Sequence, residues 1–585
     1  MDRERTFTQL DLTIASWTAA QFRAQGITRI FMYPGGTIAP LVNACLAEGI
    51  QVERFASEQG AGYAALAQAR LTNQPQVFMV TSGPGLTNAI SPLADAYYDS
   101  LPLILVAGQI GTKDLCSRTA VRQRGFQEVP TVELTRSIAK HAVCLDSVQK
   151  VFEELPNAFG LASQGRMGPV VLDFPMDIQR TQLAAYPDDS NSEPHPLAVS
   201  AQASKFPDST KLADLASALS IAKRPIILLG QGAHFAGAYS AYSALAEKAD
   251  ALVVTSFLGI GSFDTLHPRC IGYVGHTGHA SANSAVHEAD LLLVLGSRLD
   301  VRQTGTVTDK FVPNGKIAWV DVDQAELDNP RVKVDWTFHC DLGTFADALL
   351  SCMPERRELA DIEWKKRVVE HKASSVEDRD HASSPMLQPK TVLAEIAPRI
   401  AHRNVIVSTG VGCHQHWAAR HLPFAPSGPR LLTSGGHGTM GFDLPSAIGA
   451  AMAAPEAKVL CVVGDGSLLM NLQELMSLSE RNLNVKILVM NNHRLGIVSQ
   501  FQLITWGNDP ASGRFHSPDF SRIAEGFGIR AWSAETMSDI QQIMPDFWDT
   551  DGPALLNMQM DPDADVVPML LAGQTMDAMW SGRNG

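Results

Sequence analysis

Short, continuous apolar runs alternate with longer amphipathic stretches along the whole chain. Typical runs are Gln76–Val80, Leu291–Leu295 and 459–463, each followed directly by Gly or Thr. The other runs lie at 30–32, 103–106, 226–229, 252–254, 317–320, 405–407 and 485–490. Strands without polar alternation are typical of parallel sheets that are covered by helices on both faces. We therefore predict an α/β protein with doubly wound parallel sheets, whose ligands bind beyond the carboxyl ends of the strands.

Two segments have the composition of linkers. Residues 180–210 are rich in Pro, Asp and Ser, and residues 353–388 are dense in charged side chains. They divide the chain into blocks 1–180, 205–352 and 385–585. A chain of 585 residues is expected to hold about three domains at roughly 100–200 residues each, which agrees with this division.

Charge and cysteine content exclude several classes of protein. The net charge is −14, from 47 basic and 61 acidic residues, which argues against nucleic acid as the main partner. The eight cysteines form no CxxC pair, so we expect reduced thiols in a cytoplasmic protein. No apolar stretch reaches the ~18 residues of a membrane span. The first residues also lack the apolar run of a secretory signal.

A candidate metal site follows the run at 459–463. That run ends in Gly464-Asp465-Gly466-Ser467, a helix is predicted over 468–481, and the next strand ends in Asn491-Asn492. Because parallel strands end at the same sheet edge, we expect the Asp465 carboxylate and the Asn492 amide oxygen to meet there. Oxygen ligands without His or Cys favour Mg²⁺, and a neighbouring helix N-terminus favours a phosphate. Taken alone, Gly-Asp-Gly is also compatible with an ordinary turn.

A second candidate is Glu58, which lies between a predicted strand and a helix of small residues. Gly60 and Gly62 allow another group to pack closely against that helix. The simplest interpretation is a glutamate that favours the start of a helix through the helix dipole. The residues around Glu58 do not by themselves choose between this role and catalysis.

Several motifs together resemble one family, the acetohydroxyacid synthase branch of thiamine-diphosphate enzymes. The resemblance runs from about residue 10 to about residue 570. Its markers, besides the metal motif, are Tyr33-Pro-Gly-Gly36, Glu58-Gln-Gly-Ala-Gly62, Thr81-Ser-Gly-Pro-Gly-Leu-Thr-Asn88, Phe126-Gln-Glu128 and Gly438-Thr-Met-Gly-Phe442. The resemblance implies a pyrimidine-binding domain at 1–180, a central flavin-binding domain at 205–352 and a diphosphate-binding domain at 385–585.

The resemblance also implies roles for individual residues. Mg²⁺ and the diphosphate would be held by Asp465, Asn492 and the main-chain carbonyl of Arg494. Glu58 would hydrogen-bond the aminopyrimidine N1′ of thiamine diphosphate, and Met440 would support the bent cofactor. Met440 is equally compatible with a core methionine. The remaining implied contacts to cofactor or substrate are Gly35, Gln127, Gly412, His414, Gln415, Gly438, Gly464, Gly466 and Ser467.

The central block resembles the family's flavin domain through Thr255–Gly259, Gly275–Gly278, Gly296–Arg302 and Asp321–Asp323. Arg298 and Arg302 can neutralise a pyrophosphate, and Asp321 can meet an adenosine. Further FAD contacts implied are Thr255, Leu258, Gly278, Asp300 and Val322. The alternative is a domain that keeps this fold but has lost FAD. Where FAD is bound without a net redox step, its role is structural.

Three positions depart from the family pattern. Phe501 stands where the family has Trp, with Ile497 nearer the Asn-Asn loop, which predicts a changed acceptor pocket. Met176 replaces a common Lys, and we attach no function to it. The loop 110–125 is basic, with Lys113, Arg118, Arg122 and Arg124 against Asp114. Such a loop is compatible with an ordinary solvated surface, but we predict that it meets an anionic acceptor.

We therefore expect an enzyme that decarboxylates pyruvate and transfers the acetyl unit to a second carbonyl compound. The departures favour a ketone, a diketone or a nucleotide-linked ketosugar, as in yersiniose-type carboligases. The alternatives are acetolactate synthesis for branched-chain amino acids, flavin oxidation as in pyruvate oxidases, and a catalytically inactive flavoprotein partner subunit. Glyoxylate carboligation is disfavoured, because that branch lacks the Glu matched by Glu58. The family implies a homodimer or homotetramer, in which Glu58 faces Asp465 and Asn492 of a partner.

Overall fold

The computed structural model describes residues 12–115, 121–185, 206–355, 360–374, 376–380, 384–507 and 513–582. The chain forms two compact units. The first comprises Met1–Gln202, Gly436–Ala454 and Asn471–Leu483, and the second comprises Ala203–Gly435, Pro455–Met470 and Asn484–Gly585. Among the helices of the described residues, none combines the length and apolar character that crossing a membrane requires.

The first unit holds a parallel sheet, formed within the described residues by six strands in the order β2-β1-β3-β4-β6-β5. Its strands are β1 Arg29–Met32, β2 Gln51–Arg54, β3 Gln76–Val80, β4 Leu103–Gln109, β5 His141–Cys144 and β6 Pro169–Pro175. Its helices are α1 Ile14–Ala24, α2 Ala39–Ala47, α3 Glu58–Thr72, α4 Pro84–Asn88, α5 Ile90–Tyr98, α6 Thr131–Thr135, α7 Val148–Ser163 and α8 Met176–Gln179. Aliphatic side chains of β1, β3, β4 and β6 form the core against α1, α2 and α7.

The second unit begins with a central parallel sheet of six described strands in the order β12-β11-β10-β7-β8-β9. Its strands are β7 Pro225–Leu229, β8 Leu252–Thr255, β9 Cys270–Tyr273, β10 Leu291–Leu295, β11 Lys316–Asp321 and β12 Trp336–His339. Its helices are α9 Ser209–Ile221, α10 Gly232–Ala236, α11 Tyr239–Lys248, α12 Ala280–Glu288, α13 Val301–Thr304, α14 Gln324–Asp328, α15 Leu342–Cys352 and α16 Ile362–Ser374. Separate apolar clusters cover its two faces, as the unbroken apolar strands predict.

The third sheet also lies in the second unit, and its six described strands follow the order β14-β13-β15-β16-β18-β17. Its strands are β13 Val405–Thr409, β14 Arg430–Thr433, β15 Lys458–Gly464, β16 Val485–Asn491, β17 Arg530–Ala534 and β18 Ala554–Gln559. The helices of this part of the chain are α17 Pro389–Ile400, α18 Cys413–His421, α19 Asp443–Ala453, α20 Asp465–Met470, α21 Glu474–Glu480, α22 Gly496–Trp506, α23 Phe520–Gly526 and α24 Met537–Asp549. Helices α19 and α21 belong to the first unit.

Close packing of small residues joins α3 to α19 within the first unit. A Cβ atom on Gly449 would lie 2.2 Å from the carbonyl oxygen of Ala64, so only glycine permits this approach. The rings of Tyr63 and Phe442 meet edge to face, with centroids 5.6 Å apart. This contact fixes the helix that carries Glu58.

The predicted fold class is confirmed, since each of the three sheets is parallel and flanked by helices. One predicted element is wrong: the single helix over 468–481 is two helices, α20 and α21, separated at 471–473. The buried amide of Asn471 donates to the carbonyl of Gly441 at 2.7 Å, outside any helix of its own. A side chain that bonds to backbone elsewhere competes with helix continuation, and the break also lies where the chain passes between the two units.

Candidate active site

The first and third sheets reverse their direction of winding at equivalent places, between β1 and β3 and between β13 and β15. Ligands of doubly wound sheets bind at such switch points, beyond the carboxyl ends of the strands. In the first sheet, the loops after β1 and β3 touch there. A Cβ atom on Gly35 would lie 2.2 Å from Cβ of Thr81, and the hydroxyls of Thr37 and Thr81 are 2.8 Å apart. Gly35 therefore lies at this crevice, and its contact with a cofactor stays a prediction.

Glu58 is the first residue of α3, and its side chain is buried beside the loop after β3. Its Oε2 accepts a hydrogen bond of 3.1 Å from Nδ2 of Asn88, the last residue of α4. Its Oε1 lies 3.6 Å from the position that a Cβ atom on Gly85 would occupy. Sequence reasoning did not assign Asn88 a role, although Asn88 closes the Thr81–Asn88 motif.

A second carboxylate anchors the start of α3. The hydroxyl of Ser57 caps the helix by accepting from the N–H of Gly60, and it donates to Oε1 of Glu474 at 2.8 Å. The other Glu474 oxygen accepts from the N–H of Ala56 at 3.2 Å and from the hydroxyl of Ser477. Burial raises the pKa of Glu474. This network holds the backbone at Glu58 in place.

Gln127 lies against the same loop. Its φ of 65° is in the left-handed region, and a Cβ atom on Gly83 would lie 2.9 Å from its Cβ. The neighbouring Phe126 is 85% exposed. The structure thus places Gln127 beside the motif that contains Asn88, as a contact to substrate at this crevice would require.

A buried polar cluster holds the ends of the loop that carries Gln127. Nε2 of Gln109, at the end of β4, donates to the carbonyl of Val129 at 3.0 Å and approaches the Asp173 carboxylate at 3.3 Å. Thr131 also bonds to Asp173, yet burial raises the pKa of Asp173 to about 7. Within this loop, Lys113, Arg122 and Arg124 are exposed, whereas Arg118 lies outside the described residues.

Gly438 and Met440 belong to the first unit, with Glu58 and Gln127. Gly438 has a φ of 78°, which glycine adopts readily, and Met440 is half-buried. In the same segment, the ring of His437 stacks on that of Tyr98 at 5.8 Å. The proposed support of the cofactor by Met440 remains a prediction.

At the switch point of the third sheet, a histidine ring fills the space that two glycines leave. Cβ atoms on Gly412 and Gly464 would lie 2.6 and 2.7 Å from ring atoms of His414. Helix α18 begins directly after Gly412, which has a φ of 156°. The N-terminus of this nine-residue helix therefore opens at the switch point, where it favours an anion such as a diphosphate.

Asp465 and Asn492 follow the adjacent strands β15 and β16, which pair in register as Gly464 with Met490. Both side chains are buried, and Asp465 is only 2% exposed. One Asp465 oxygen accepts from the N–H of Gly466 at 2.9 Å, and the other accepts from the hydroxyl of Ser517 at 2.7 Å. Burial raises the pKa of Asp465, so a nearby cation would stabilise its carboxylate. No sequence pattern indicated Ser517.

The Asn-Asn loop turns sharply after β16. His493 has a φ of 53°, and its Nε2 lies 2.9 Å from Oε1 of Gln559. The guanidinium of Arg494 is buried and bonds to the carbonyl of Pro562. The predicted metal ligand at this position is the main-chain carbonyl of Arg494, and that role stays a prediction. Oxygen donors from Asp465, Asn492 and this carbonyl fit Mg²⁺.

Gln415 does not offer its side chain to an anion in this structure. Its amide nitrogen donates to the hydroxyl of Thr433 at 2.7 Å and to the carbonyl of Ser434 at 3.0 Å. Its main-chain N–H bonds to the carbonyl of Gly412. The predicted contact from Gln415 to a diphosphate therefore requires one of these bonds to break. Gly466 and Ser467 lie in the first turn of α20.

The central sheet has the strand order of dinucleotide-binding folds, since its order reads 3-2-1-4-5-6 from β9. Its switch point lies between β7 and β10. A Cβ atom on Gly230 would lie 2.0 Å from the carbonyl oxygen of Gly296, so the loops after these strands are in tight contact. This order and the buried carboxylate of Asp321 at the end of β11 fit a dinucleotide.

The predicted flavin residues are placed around this sheet edge. Arg298 pairs with Asp300 at 3.2 Å, and Asp300 also caps α13 through the N–H of Arg302. Thr255 ends β8, and Leu258 packs against Gly435. Gly278 and Val322 lie in the loops after β9 and β11. A pyrophosphate at Arg298 would compete with the Asp300 carboxylate.

The predicted acceptor residues Ile497 and Phe501 lie on α22. Phe501 is 40% exposed, and its ring stacks on that of His276 with centroids 5.3 Å apart. Nδ1 of His276 donates to the carbonyl of Leu570, and its Nε2 has no partner among the described residues. Burial lowers the pKa of His276. Sequence reasoning quoted the Gly275–Gly278 stretch but did not connect it with Phe501.

This fold and these sites define a class of enzyme that binds thiamine diphosphate. Three models of the thiamine pyrophosphate enzymes match the chain in order: the N-terminal TPP binding domain at 12–134, the central domain at 212–349 and the C-terminal TPP binding domain at 410–558. The chain belongs to the thiamine pyrophosphate enzyme family.

Similar proteins include several acetolactate synthases. The chain is 35% identical over 575 residues to acetolactate synthase isozyme 1 large subunit of Escherichia coli (strain K12), covering 97% of each. It is 34% identical to the acetolactate synthase large subunit of Lactococcus lactis, over 95% of this chain and 93% of that protein. It is 32% identical to the mitochondrial acetolactate synthase catalytic subunit of Saccharomyces cerevisiae, over 94% of this chain and 81% of that protein.

Proposed function

We propose that this protein is a thiamine-diphosphate-dependent carboligase that converts two pyruvate molecules and one proton into acetolactate and CO₂. The observation that carries the proposal is the buried oxygen pair of Asp465 and Asn492, in a chain that matches acetolactate synthases over nearly its full length. The relatives thus favour the alternative considered from the sequence over transfer to a ketosugar.

The residues of the third sheet would hold the cofactor through its diphosphate. Asp465, Asn492 and the carbonyl of Arg494 supply hard oxygen ligands for Mg²⁺, and the N-terminus of α18 supplies main-chain N–H groups for the phosphates. The raised pKa of Asp465 agrees with this role, because a bound cation would offset the free energy required to bury its charge.

Residues that follow the strands of the first sheet would carry out proton transfer. Bound thiamine diphosphate supplies a carbanion centre that attacks a 2-oxo acid and accommodates the charge left by loss of CO₂. Glu58 would exchange a proton with the aminopyrimidine N1′, and its burial excludes water from that exchange. Gln127, beside Gly83, would contact the carboxylate or carbonyl of a substrate.

We also propose that the central sheet binds FAD. Its strand order, the tight loops at Gly230 and Gly296, and the Asp321 carboxylate support this assignment. Acetolactate formation has no net redox step, so the flavin would act structurally. The alternative is a protein of the same fold that has lost FAD and is colourless. The absorbance of the purified protein distinguishes the two.

We further propose a homodimer or homotetramer in which Glu58 of one protomer faces Asp465 and Asn492 of its partner. Two exposed apolar groups support this assembly: Phe126, beside Gln127, and Leu469 with Met470, just after Asp465. Large exposed apolar side chains next to functional residues are typical of surfaces that a partner covers.

A second candidate function is transfer of the acetyl unit to a ketone. The stacking of Phe501 on His276 favours it, because Phe lacks the indole N–H of the Trp that the family has at this position. The exposed Arg122 and Arg124 remain available to an anionic acceptor such as a nucleotide-linked ketosugar. Both candidates share the first half of the reaction and differ only in the acceptor.

Mass spectrometry of the products distinguishes the candidates. The purified protein would receive thiamine diphosphate, Mg²⁺, FAD and pyruvate, with and without cyclohexane-1,2-dione. We expect acetolactate from pyruvate alone, and the dione should leave its yield unchanged. A product equal to the dione plus an acetaldehyde unit would instead establish ketone transfer. The variant Phe501→Trp would then move the product ratio towards acetolactate.

Two further outcomes would overturn the proposal altogether. Consumption of O₂ with formation of acetate or acetyl phosphate would identify a flavin oxidase. Failure to bind thiamine diphosphate in the presence of Mg²⁺ would identify a catalytically inactive partner subunit.

A further inference from the structure

Among the residues that the structure describes, Asn88 is the one hydrogen-bond donor to the side chain of Glu58. Nδ2 of Asn88 lies 3.1 Å from Oε2 of Glu58. The described residues give Oε1 no hydrogen bond, and this oxygen lies beside Gly85, where the absence of a side chain leaves space. The two oxygens of one carboxylate are thus in different environments.

The backbone at Glu58 is already fixed by other contacts. Ser57 caps α3, and Glu474 receives the Ser57 hydroxyl and the N–H of Ala56. A Cβ atom on Gly60 would lie 2.1 Å from Oε1 of Glu474, which shows how tightly this carboxylate is packed against the helix. The remaining freedom of Glu58 is therefore rotation of its own side chain, and Asn88 restricts that rotation.

We propose that Asn88 is a positioning residue that holds Oε2 of Glu58 and so presents Oε1 to the aminopyrimidine N1′ of thiamine diphosphate. This inference rests on the proposed function, because it assumes that Glu58 acts on N1′. An amide suits the task, since its N–H can donate to a side-chain oxygen of Glu58 whether Glu58 is ionised or protonated.

The position of Asn88 in the chain explains how it reaches Glu58. It ends the short helix α4, which starts at Pro84 after Gly83, a glycine with a φ of 63°. Thr87 and Asn88 are both exposed, and among the described residues the hydroxyl of Thr87 bonds only to the carbonyl of Pro84. Thr87 and Asn88 are thus adjacent polar residues of which only one touches Glu58, so Thr87→Ala is a matched control.

The test compares Asn88→Ala, Asn88→Asp and Thr87→Ala in the full chain loaded with thiamine diphosphate, Mg²⁺ and FAD. Three quantities would be measured: hydrogen–deuterium exchange at C2 of the cofactor, the circular dichroism bands of its amino and imino tautomers, and its Kd. We expect Asn88→Ala to slow exchange by about 10–100-fold, the range for residues that orient a functional group. The imino band should weaken, while Kd changes less than about threefold.

Asn88→Asp gives a signature that a merely structural role would not produce. Two carboxylates at this distance share one proton at low pH, and the protonated Asp can then donate to Glu58 as the amide does. Exchange in this variant should therefore approach the wild-type rate at low pH and fall when the shared proton is lost. The wild type and Thr87→Ala should show no such fall in exchange rate as the pH rises.

Two results would overturn the proposal. Unchanged exchange and an unchanged imino band in Asn88→Ala would show that Asn88 does not act on Glu58. Equal losses of exchange, cofactor affinity and melting temperature would show that Asn88 supports the fold instead. Failure of the proposed function is a separate result, because Glu58→Gln, measured in parallel, would then exchange as fast as the wild type.

Discussion

The first and third sheets have the same strand order but different chemistry at their switch points. In the first, the proposed functional carboxylate is Glu58, which accepts a hydrogen bond from the neutral amide of Asn88. In the third, Asp465 follows β15 and Asn492 follows the adjacent strand β16. Topology places both crevices at the ends of strands, whereas the residues that follow the strands decide what each can bind. One sheet suits proton transfer, and the other suits a cation with a diphosphate.

The central sheet extends this comparison. Its strand order differs from that of its neighbours and is the order of dinucleotide-binding folds. Its switch point brings glycines together and places one carboxylate, Asp321, at the end of β11. The central sheet is thus distinguished by its strand order, whereas the first and third sheets differ only in the residues that follow their strands. Each assignment can be tested separately.

The largest expected effect comes from the carboxylate of the first sheet. Glu58→Gln should slow C2 exchange by about 10²–10⁴-fold, the usual contribution of a general acid or base, because the amide cannot take up a proton. Its thiamine diphosphate affinity should change little. Exchange is measured by nuclear magnetic resonance after acid quenching. Glu53→Gln on β2 is the control, since it removes a carboxylate from a partly exposed ion pair with Arg481.

Rapid C2 exchange in Glu58→Gln would contradict the assignment of proton transfer to the first sheet. The proton-transferring group would then have to be sought elsewhere in the first unit. An effect of equal size in Glu53→Gln would show instead that loss of charge near α3 disturbs the helix.

The next effect concerns the carboxylate of the third sheet. Asp465→Asn should weaken thiamine diphosphate binding by about 100-fold or more at fixed Mg²⁺, because an anionic ligand is lost. Isothermal titration of the cofactor measures this change, and the exposed Glu525→Gln serves as the control. Unchanged affinity in Asp465→Asn would mean that this crevice does not hold the metal.

A smaller effect is expected at the central sheet. Asp321→Asn should lower FAD affinity by about 10-fold, the value of a hydrogen bond to a charged group, while leaving thiamine diphosphate affinity unchanged. The flavin content of the purified protein, read from its absorbance, checks the first expectation. Loss of both cofactors together would show that the sheets are not functionally independent.

The smallest effect is a change in stability with pH at the first sheet. Burial raises the pKa of Asp173 from its ordinary 3.8 to about 7. Between these values the unfolded chain ionises Asp173 but the folded protein keeps its proton, so this contribution is present at low pH and lost as pH rises to about 7. The melting temperature of Asp173→Asn minus that of the wild type should therefore be about 2–4 °C larger at pH 8 than at pH 4.

The exposed Asp177→Asn is the control for this measurement, since its carboxylate accepts from Thr112 at the surface. Its melting temperature should follow the wild-type pH profile. If the melting temperature of Asp173→Asn also follows the wild-type pH profile, Asp173 is ionised in the folded protein. Gln109 would then be holding a charged partner.

The sequence predicted most of the inner strands, but it missed the inner strands β6 and β18 and most of the edge strands. Apolar runs indicated β3, β10 and β15, whose residues are buried almost throughout. The edge strands β2 and β5 are only partly buried and carry no such run. An edge strand is paired on one side and covered less completely, so its residues need not be apolar. The pattern that identifies a parallel sheet is therefore weakest at its borders.

The candidate site residues also differed in how far the sequence could predict them. The Asp465 and Asn492 pair could be predicted because each follows an apolar strand and parallel strands end together. Ser517, which donates to Asp465, could not, because 52 positions separate the two residues and no motif marks Ser517. Asn88 was visible within a motif, but its bond to Glu58 depends on how α4 is oriented after Gly83.

The sequence by itself determined the α/β class, the order of the three sheets along the chain, and the residues that follow the inner strands. These features depend on local composition and on the periodicity of apolar side chains. The tertiary structure alone decided the strand orders, the break between α20 and α21, and the pairings of Asn88 with Glu58, His276 with Phe501 and Gln109 with Asp173. Such pairings depend on the distances between side chains far apart in the chain, which follow only from how helices and strands pack together.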